Sequence, residues 1–196
     1  TANKAPSDGV ITGYGVIDGN LVYVYSQDAS VLNGTVGEMH AKKISALYDL
    51  AMKTGAPVIG LVDCAGMRLQ EATDALEAFG GIYLKQTMAS GMIPQITAVF
   101  GTCGGGMAVV PALTDFTFIE SKKGKMFVNS PNALDGNYTE KCDTASAEFQ
   151  SKETGLIDAV ESEEEILAEI RQLIGLLPSN FEDNDSFEEC TDDLNR

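Results

Sequence analysis

The sequence has a single histidine, His40, among 196 residues. That scarcity removes most nucleophile–base arrangements, because a Ser/His/Asp or Cys/His set needs an imidazole beside its nucleophile. Nothing around His40 in the sequence marks such a neighbour. The four cysteines, Cys64, Cys103, Cys142 and Cys190, include no Cys-x-x-Cys pair, so a zinc ribbon is not supported and no metal is expected. No apolar run reaches 18 residues, so no membrane span is expected. The first residues, Thr1-Ala2-Asn3-Lys4-Ala5-Pro6, carry neither an initiator methionine nor the apolar core of a signal peptide. They read as the start of a processed or excised piece. Widely spaced thiols without a signal fit a reducing cytoplasm. Basic residues are also few: 13 Lys and Arg stand against 29 Asp and Glu, a net charge of −16. That balance argues against a broad basic face for nucleic acid. Part of the acidic excess is local, with four acids in residues 161–165 and seven in residues 182–193. Such runs read first as solvated surface and tail, and alternatively as a docking segment for a partner.

What is present suits one globular domain over residues 1–178, followed by an acidic tail or linker over 179–196. Hydrophobic residues make up 44% of the chain, enough for a sizeable core. Residues 10–27 read as a β-hairpin turning at Asp18-Gly19-Asn20. Thr35 and Glu38 have capping-box spacing, ahead of a helix over 36–53 that Gly55 ends. Residues 57–62 and 95–100 are almost wholly apolar and read as strands buried on both faces. A helix over 71–90 lies between them, weakened by Gly80-Gly81. A short helix over 106–113, interrupted by Pro111, precedes strands at 116–119 and 125–128. A loop over 129–138, a helix over 144–152 and a strand over 156–160 follow. Ser162 and Glu165 form a second capping box, opening a helix that runs to about 177 and stops at Pro178. Alternation of strand and helix predicts an α/β domain with crossover connections.

Two glycine-rich turns follow the two buried strands. The first is Val62-Asp63-Cys64-Ala65-Gly66-Met67-Arg68; the second is Phe100-Gly101-Thr102-Cys103-Gly104-Gly105-Gly106-Met107. A turn from strand into helix leaves backbone N–H groups free where negative charge is favoured. Two such turns face to face would make a hole for a developing oxyanion. The plainer reading is that the glycines only allow close helix–strand packing. The second turn lacks the Lys-Ser/Thr ending of a P-loop, so nucleotide binding is not expected. Cys64 and Cys103 fit the turns as small, weakly polar packing residues. Arg68 has two readings, an ion pair with Glu71 or Asp63, or a contact to an anionic substrate. Asp63 is expected to cap its own turn. Lys42 and Lys43 are adjacent on a helix, so at most one of them faces a ligand.

Taken with their flanks, these residues resemble a known family. Gly13-Tyr14-Gly15-Val16-Ile17-Asp18-Gly19, Gly37-Glu38-Met39-His40-Ala41-Lys42-Lys43-Ile44, Arg68-Leu69-Gln70-Glu71, Ser90-Gly91-Met92-Ile93-Pro94-Gln95, Pro111-Ala112-Leu113-Thr114-Asp115 and Leu177-Pro178-Ser179-Asn180 carry the likeness. The chain resembles the N-terminal, acyl-CoA-binding half of the carboxyltransferase component of biotin-dependent acyl-CoA carboxylases and decarboxylases. The resemblance implies a crotonase-type spiral of ββα units, a fold shared with ClpP-like peptidases. It implies carboxyl transfer between carboxybiotin and the α-carbon of a short acyl-CoA. Biotin would be carried by a biotin carrier protein, and a complementary C-terminal-type half, in a homo- or hetero-oligomer, would complete the site. The family's first turn usually reads Ser-Gly-Gly-Ala-Arg, so Ala65 replaces a glycine, and residues 129–155 depart from the family pattern.

On this reading the amides of Ala65, Gly66, Gly104 and Gly105 are the catalytic donors. Cys64, Met67, Arg68, Cys103, Gly106 and Lys42 line the substrate, with a coenzyme A phosphate as the target of the cations. Two rivals stay open. A free-standing crotonase-type hydratase or thioester hydrolase would need an acid or base beside the turns. A non-catalytic assembly subunit would keep the fold without the site.

Overall fold

The computed structural model describes residues 7–133, 143–180 and 191–192. Its strands form one sheet in the order β1-β2-β3-β4-β5-β7, with β6 beside the far end of β4. β1 (Val10–Ile17) and β2 (Asn20–Gln27) make the expected antiparallel hairpin. Asp18 and Gly19 both take positive φ at its tip, the backbone that matches the strands' twist. β3 (Val58–Cys64), β4 (Gln95–Gly104), β5 (Phe116–Glu120), β6 (Lys125–Phe127) and β7 (Ala159–Glu161) are joined by parallel pairings only.

Helices cover both faces, which is why β3 and the first half of β4 are apolar on both sides. α1 (Glu38–Thr54) and α2 (Ala72–Ala89) bury Ile44, Leu47, Tyr48, Phe79 and Ile82 against one face. The 3-10 turn Gly105–Ala108 runs into the short α3 (Val109–Ala112), where Pro111 sits in the first turn and breaks no helical bond. α4 (Ala147–Glu153) follows with Ser146 as its cap. α5 (Glu163–Leu176) lays Ile166, Ile170 and Ile174 on the opposite face, against Val22, Ile59, Ile96 and Phe118. Each isoleucine buried in this way contributes roughly 2 kcal/mol.

The ends of the helices show where local rules held. Ser162 and Glu165 form the expected capping box at α5. Gly55 closes α1 in the left-handed conformation. The box expected from Thr35 and Glu38 does not form. Thr35 Oγ1 donates to Leu32 O, the cap residue is Gly37, and the free Glu38 N–H is taken by Glu71 Oε2 at 2.7 Å. A carboxylate brought in by the tertiary fold outcompeted the local hydroxyl. The pair Gly80-Gly81 does not break α2. Of the expected loop at 129–138, residues 134–138 lie outside the described residues, as do Cys142, Cys190 and most of the acidic tail.

β4 changes partners half-way, and this places the site. Residues 96–99 pair with β5, and Thr102, Cys103 and Gly104 pair with β6. On the other edge the β3–β4 register shifts between Val62 and Cys64. Asp63 fills the break: its Oδ1 accepts the Thr102 N–H at 2.9 Å, over Gly101, where a side chain would collide with the carboxylate. Asp63 was expected to cap its own turn; it ties the first turn's strand to the second turn instead.

Candidate functional site

Beyond the break, Cys64 of β3 and Cys103 of β4 are register partners, so both turns leave the same end of the sheet side by side. Gly66 has φ +117° and Gly105 has φ +59°, conformations that only glycine adopts cheaply. A Cβ on Gly66 would lie 3.1 Å from Gly104 O and 3.8 Å from Gly105 Cα; one on Gly104 would lie 3.0 Å from Ala65 O. The two backbones therefore touch. Ala65 is tolerated in place of a glycine because the positive φ falls on Gly66, one residue later.

The expected amides are not equally available. Ala65 N–H donates to Asn33 O at 3.0 Å, so the donor assigned to Ala65 is already spent. Asn33 reaches it from a 3-10 turn, Leu32–Gly34, in which Asn33 itself has φ 55°. Gly66 N–H donates to the buried Cys64 Sγ at 3.3 Å, a weak acceptor. Gly104 is the last residue of β4 and pairs with Phe127. Gly105 and Gly106 open a helical turn, and the first N–H groups of such a turn have no intrahelical acceptor. Of these N–H groups, Ala65 has a carbonyl acceptor, Gly66 has only a thiol, and Gly105 and Gly106 stand at the start of a helical turn.

The side chains expected to line a substrate mostly face inward. Cys64 and Cys103 are fully buried. Burial pushes the Cys64 thiol up to about 11 despite the Gly66 N–H, and burial, with the neighbouring Cys64, holds Cys103 well above the ordinary thiol range. Both stay protonated. Cys64 donates to Gly66 O and Cys103 to Met107 O, so each thiol braces its own turn from beneath. Met67 is half-buried against the core, and its backbone bridges Val36.

Arg68 is a structural ion-pair residue. Its side chain is 8% exposed, and Nη1 and Nη2 grip Asp8 at 3.0 and 2.6 Å. Nη1 also meets Glu71 Oε1 at 2.8 Å, Nη2 meets Thr35 O at 2.6 Å, and Nε meets Thr35 Oγ1 at 3.4 Å. All five N–H groups of the guanidinium are occupied, so no fork remains for a phosphate. Glu71 was an expected partner; Asp8, 60 residues upstream, was not. Asp63 takes no part. Lys42 is exposed and pairs with Glu38 at 2.5 Å, while Lys43 donates to Val10 O.

His40 proves to be central to this network. It is fully buried, 3.1 Å from Gln27 Nε2 through Nε2 and 3.4 Å from Asp8 Oδ1 through Nδ1, the latter without hydrogen-bond geometry. Burial holds its pKa down to about 4 against the pull of Asp8. Burial alone would raise Asp8, but the Arg68 hydrogen bonds and the Gly9 N–H outweigh it and hold that carboxyl at about 2. No signal in the sequence placed Asp8, Gln27 or Asn33 at the site, because each arrives from a distant segment. Tyr83 was missed as well: its hydroxyl donates to Gly106 O at 2.5 Å, bracing the second turn from α2. Among the described residues no group of His, Cys, Asp and Glu is placed to hold a metal, and no helix is long and apolar enough to cross a membrane.

The carboxyl transferase domain family matches the chain over residues 1–196. The chain belongs to that family. It is 43% identical over 197 residues to the methylmalonyl-CoA decarboxylase subunit alpha of Veillonella parvula, covering 98% of this chain and 39% of that protein. It is 40% identical over 205 residues to the propionyl-CoA carboxylase beta chain of Roseobacter denitrificans, covering 97% of this chain and 40% of that one. A crystal structure of transcarboxylase 12S, with hydrolysed methylmalonyl-coenzyme A bound, superposes with a TM-score of 0.85 at 32% identity, covering 94% of this chain and 37% of that one. The chain thus spans about two fifths of the length of these relatives. The crotonase-type α/β fold and the family read from the sequence are both borne out.

Proposed function

We propose that this chain is the acyl-CoA-binding half of a biotin-dependent carboxyltransferase, acting on a short acyl-CoA such as methylmalonyl- or propionyl-CoA. The observation that carries this reading is the contact between the Gly66 and Gly105 turns at the ends of neighbouring parallel strands. Thioester chemistry at an α-carbon places negative charge on the thioester oxygen. The N–H groups of Gly66, Gly105 and Gly106 are the donors suited to hold that charge, fixed beforehand by the strands and by Tyr83. One such donor is worth about 3 kcal/mol to the transition state.

Proton transfer falls to groups outside the two turns. Asp63 is committed to Thr102, Arg68 to its carboxylates, and the thiols are buried and protonated. That is also why a free-standing hydratase or hydrolase fits poorly. The donors on this chain suit an oxyanion, and no described side chain in the turns suits a covalently held cofactor. Bound biotin, on a carrier protein, would supply the activated carboxyl group, and its ureido oxygen would be met by the complementary half. The buried thiols agree with a reducing compartment such as the cytoplasm.

The test is reconstitution. The purified chain should bind a CoA thioester weakly and transfer no carboxyl group by itself. Transfer, followed with labelled methylmalonyl-CoA and biotin carrier, should begin when a complementary C-terminal-type half is added. Full transfer by the isolated chain, or none in the reconstituted assembly, would overturn the proposal.

A further inference from the structure

We infer that Asp8, just ahead of β1, is a positioning residue for the first glycine turn, acting through Arg68. Arg68 is the hinge pin of that turn. Its backbone N–H donates to Val36 O at 2.9 Å, and Val36 N–H donates to Gly66 O at 2.9 Å, so the segment from Gly66 to Arg68 is stitched along Val36. The peptide carrying the Gly66 carbonyl is thereby fixed, and the Gly66 N–H lies on the peptide just before it.

What keeps the Arg68 side chain under that stitch is charge. Asp8 holds the guanidinium through both oxygens, the strongest geometry available to such a pair. Its Oδ1 also accepts the Gly9 N–H at 2.8 Å, so the carboxylate is anchored to its own backbone. Arg68 then spreads over Thr35 and Glu71, and Glu71 caps α1 through Glu38 N–H. One carboxylate thus orders three separate segments around the turn. The same Asp8 Oδ1 also faces His40, which meets Gln27, whose Nε2 lies 3.7 Å from Met107 Sδ inside the second turn. The chain of contacts runs from one turn to the other through His40, Gln27 and Met107, all buried. Asp8 therefore acts on the geometry of the donors and contacts no substrate.

The inference rests on the carboxyltransferase reading only for its kinetic arm. For the purified chain, Asp8→Asn should speed amide hydrogen exchange and shift NMR resonances most at residues 65–68, with smaller shifts at Met107 through His40 and Gln27. In the reconstituted assembly it should lower kcat about tenfold to a hundredfold, as expected for a misplaced donor, with KM for the acyl-CoA nearly unchanged. Asp8→Glu keeps the charge and should recover part of both signals; if Asp8→Asn does not fold, Asp8→Glu carries the test with smaller shifts in the same direction. First-turn amides that stay put, or a change spread evenly over the sheet with kcat per folded molecule intact, would overturn the positioning role. Absence of transfer by the wild-type assembly would sink the functional proposal alone, because the exchange experiment still decides the role of Asp8.

Discussion

The first turn is held by charge and the second by packing. Around Gly66 the fixtures are the Arg68 guanidinium, two carboxylates, Thr35 and the Asn33 carbonyl, drawn from segments up to 60 residues apart. Around Gly105 and Gly106 they are Phe79, Tyr83, Phe127 and the buried Met107, with one hydroxyl bond and one thiol bond. The two turns are thus supported by unlike physics. The support at Gly66 depends on protonation states and that at Gly105 and Gly106 chiefly on side-chain volume, with the Asp63 carboxylate reaching the second turn only at Thr102. Perturbations of pH should therefore reach the site through the first turn, and perturbations of volume through the second.

The largest expected effect is Gly105→Val. A β-branched residue at φ +59° is strained, and its Cβ would stand 3.8 Å from Gly66 Cα. Coupled carboxyl transfer should fall by about two orders of magnitude or more, as for a lost oxyanion donor. Circular dichroism should still show a folded domain. An unchanged rate would remove the second turn from the chemistry.

A smaller effect separates the turns by pH. His40 titrates near 4 when folded and near 6.5 when free, so the unfolded chain binds its proton first as pH falls. Stability should drop by roughly 3 kcal/mol between pH 6.5 and 4 and then level off with respect to His40. Asp8, held at about 2 against an ordinary 3.8, adds a further loss only below pH 3.8. Urea titrations of wild type and His40→Gln across this range check the assignment; the variant should lose the upper slope. A wild-type slope in His40→Gln would place the titrating group elsewhere.

The smallest effect belongs to Tyr83→Phe. It removes the hydroxyl bond to Gly106 O and keeps the ring contact with Phe79, whose centroid lies 5.9 Å away. The loss in stability should be about 1 kcal/mol, without pH dependence between 4 and 7. A pH-dependent loss would mean that the two supports are not separate after all.

Much of this molecule was legible residue by residue. The apolar runs of β3 and β4, the hairpin tip, the Gly55 stop and the Ser162–Glu165 box depend on neighbours within a few positions, and each formed where its pattern lies. The two turns and their family resemblance were legible for the same reason, since glycine spacing after a buried strand is a local signal. Which amides remain free was not. Ala65 loses its N–H to Asn33, Thr35 yields its capping role to Glu71, Asp63 serves the opposite turn, and Arg68 is claimed by Asp8.

By itself the sequence determined most of the strands, helices and turns, because periodicity and positive φ are short-range properties of the chain; the strand expected over 156–160 forms only at Ala159–Glu161. Only the tertiary structure decided the hydrogen-bond partners at the site. A backbone or side-chain donor takes the acceptor the fold delivers within 3 Å, and for Ala65, Glu38 and Arg68 such acceptors come from more than 30 residues away.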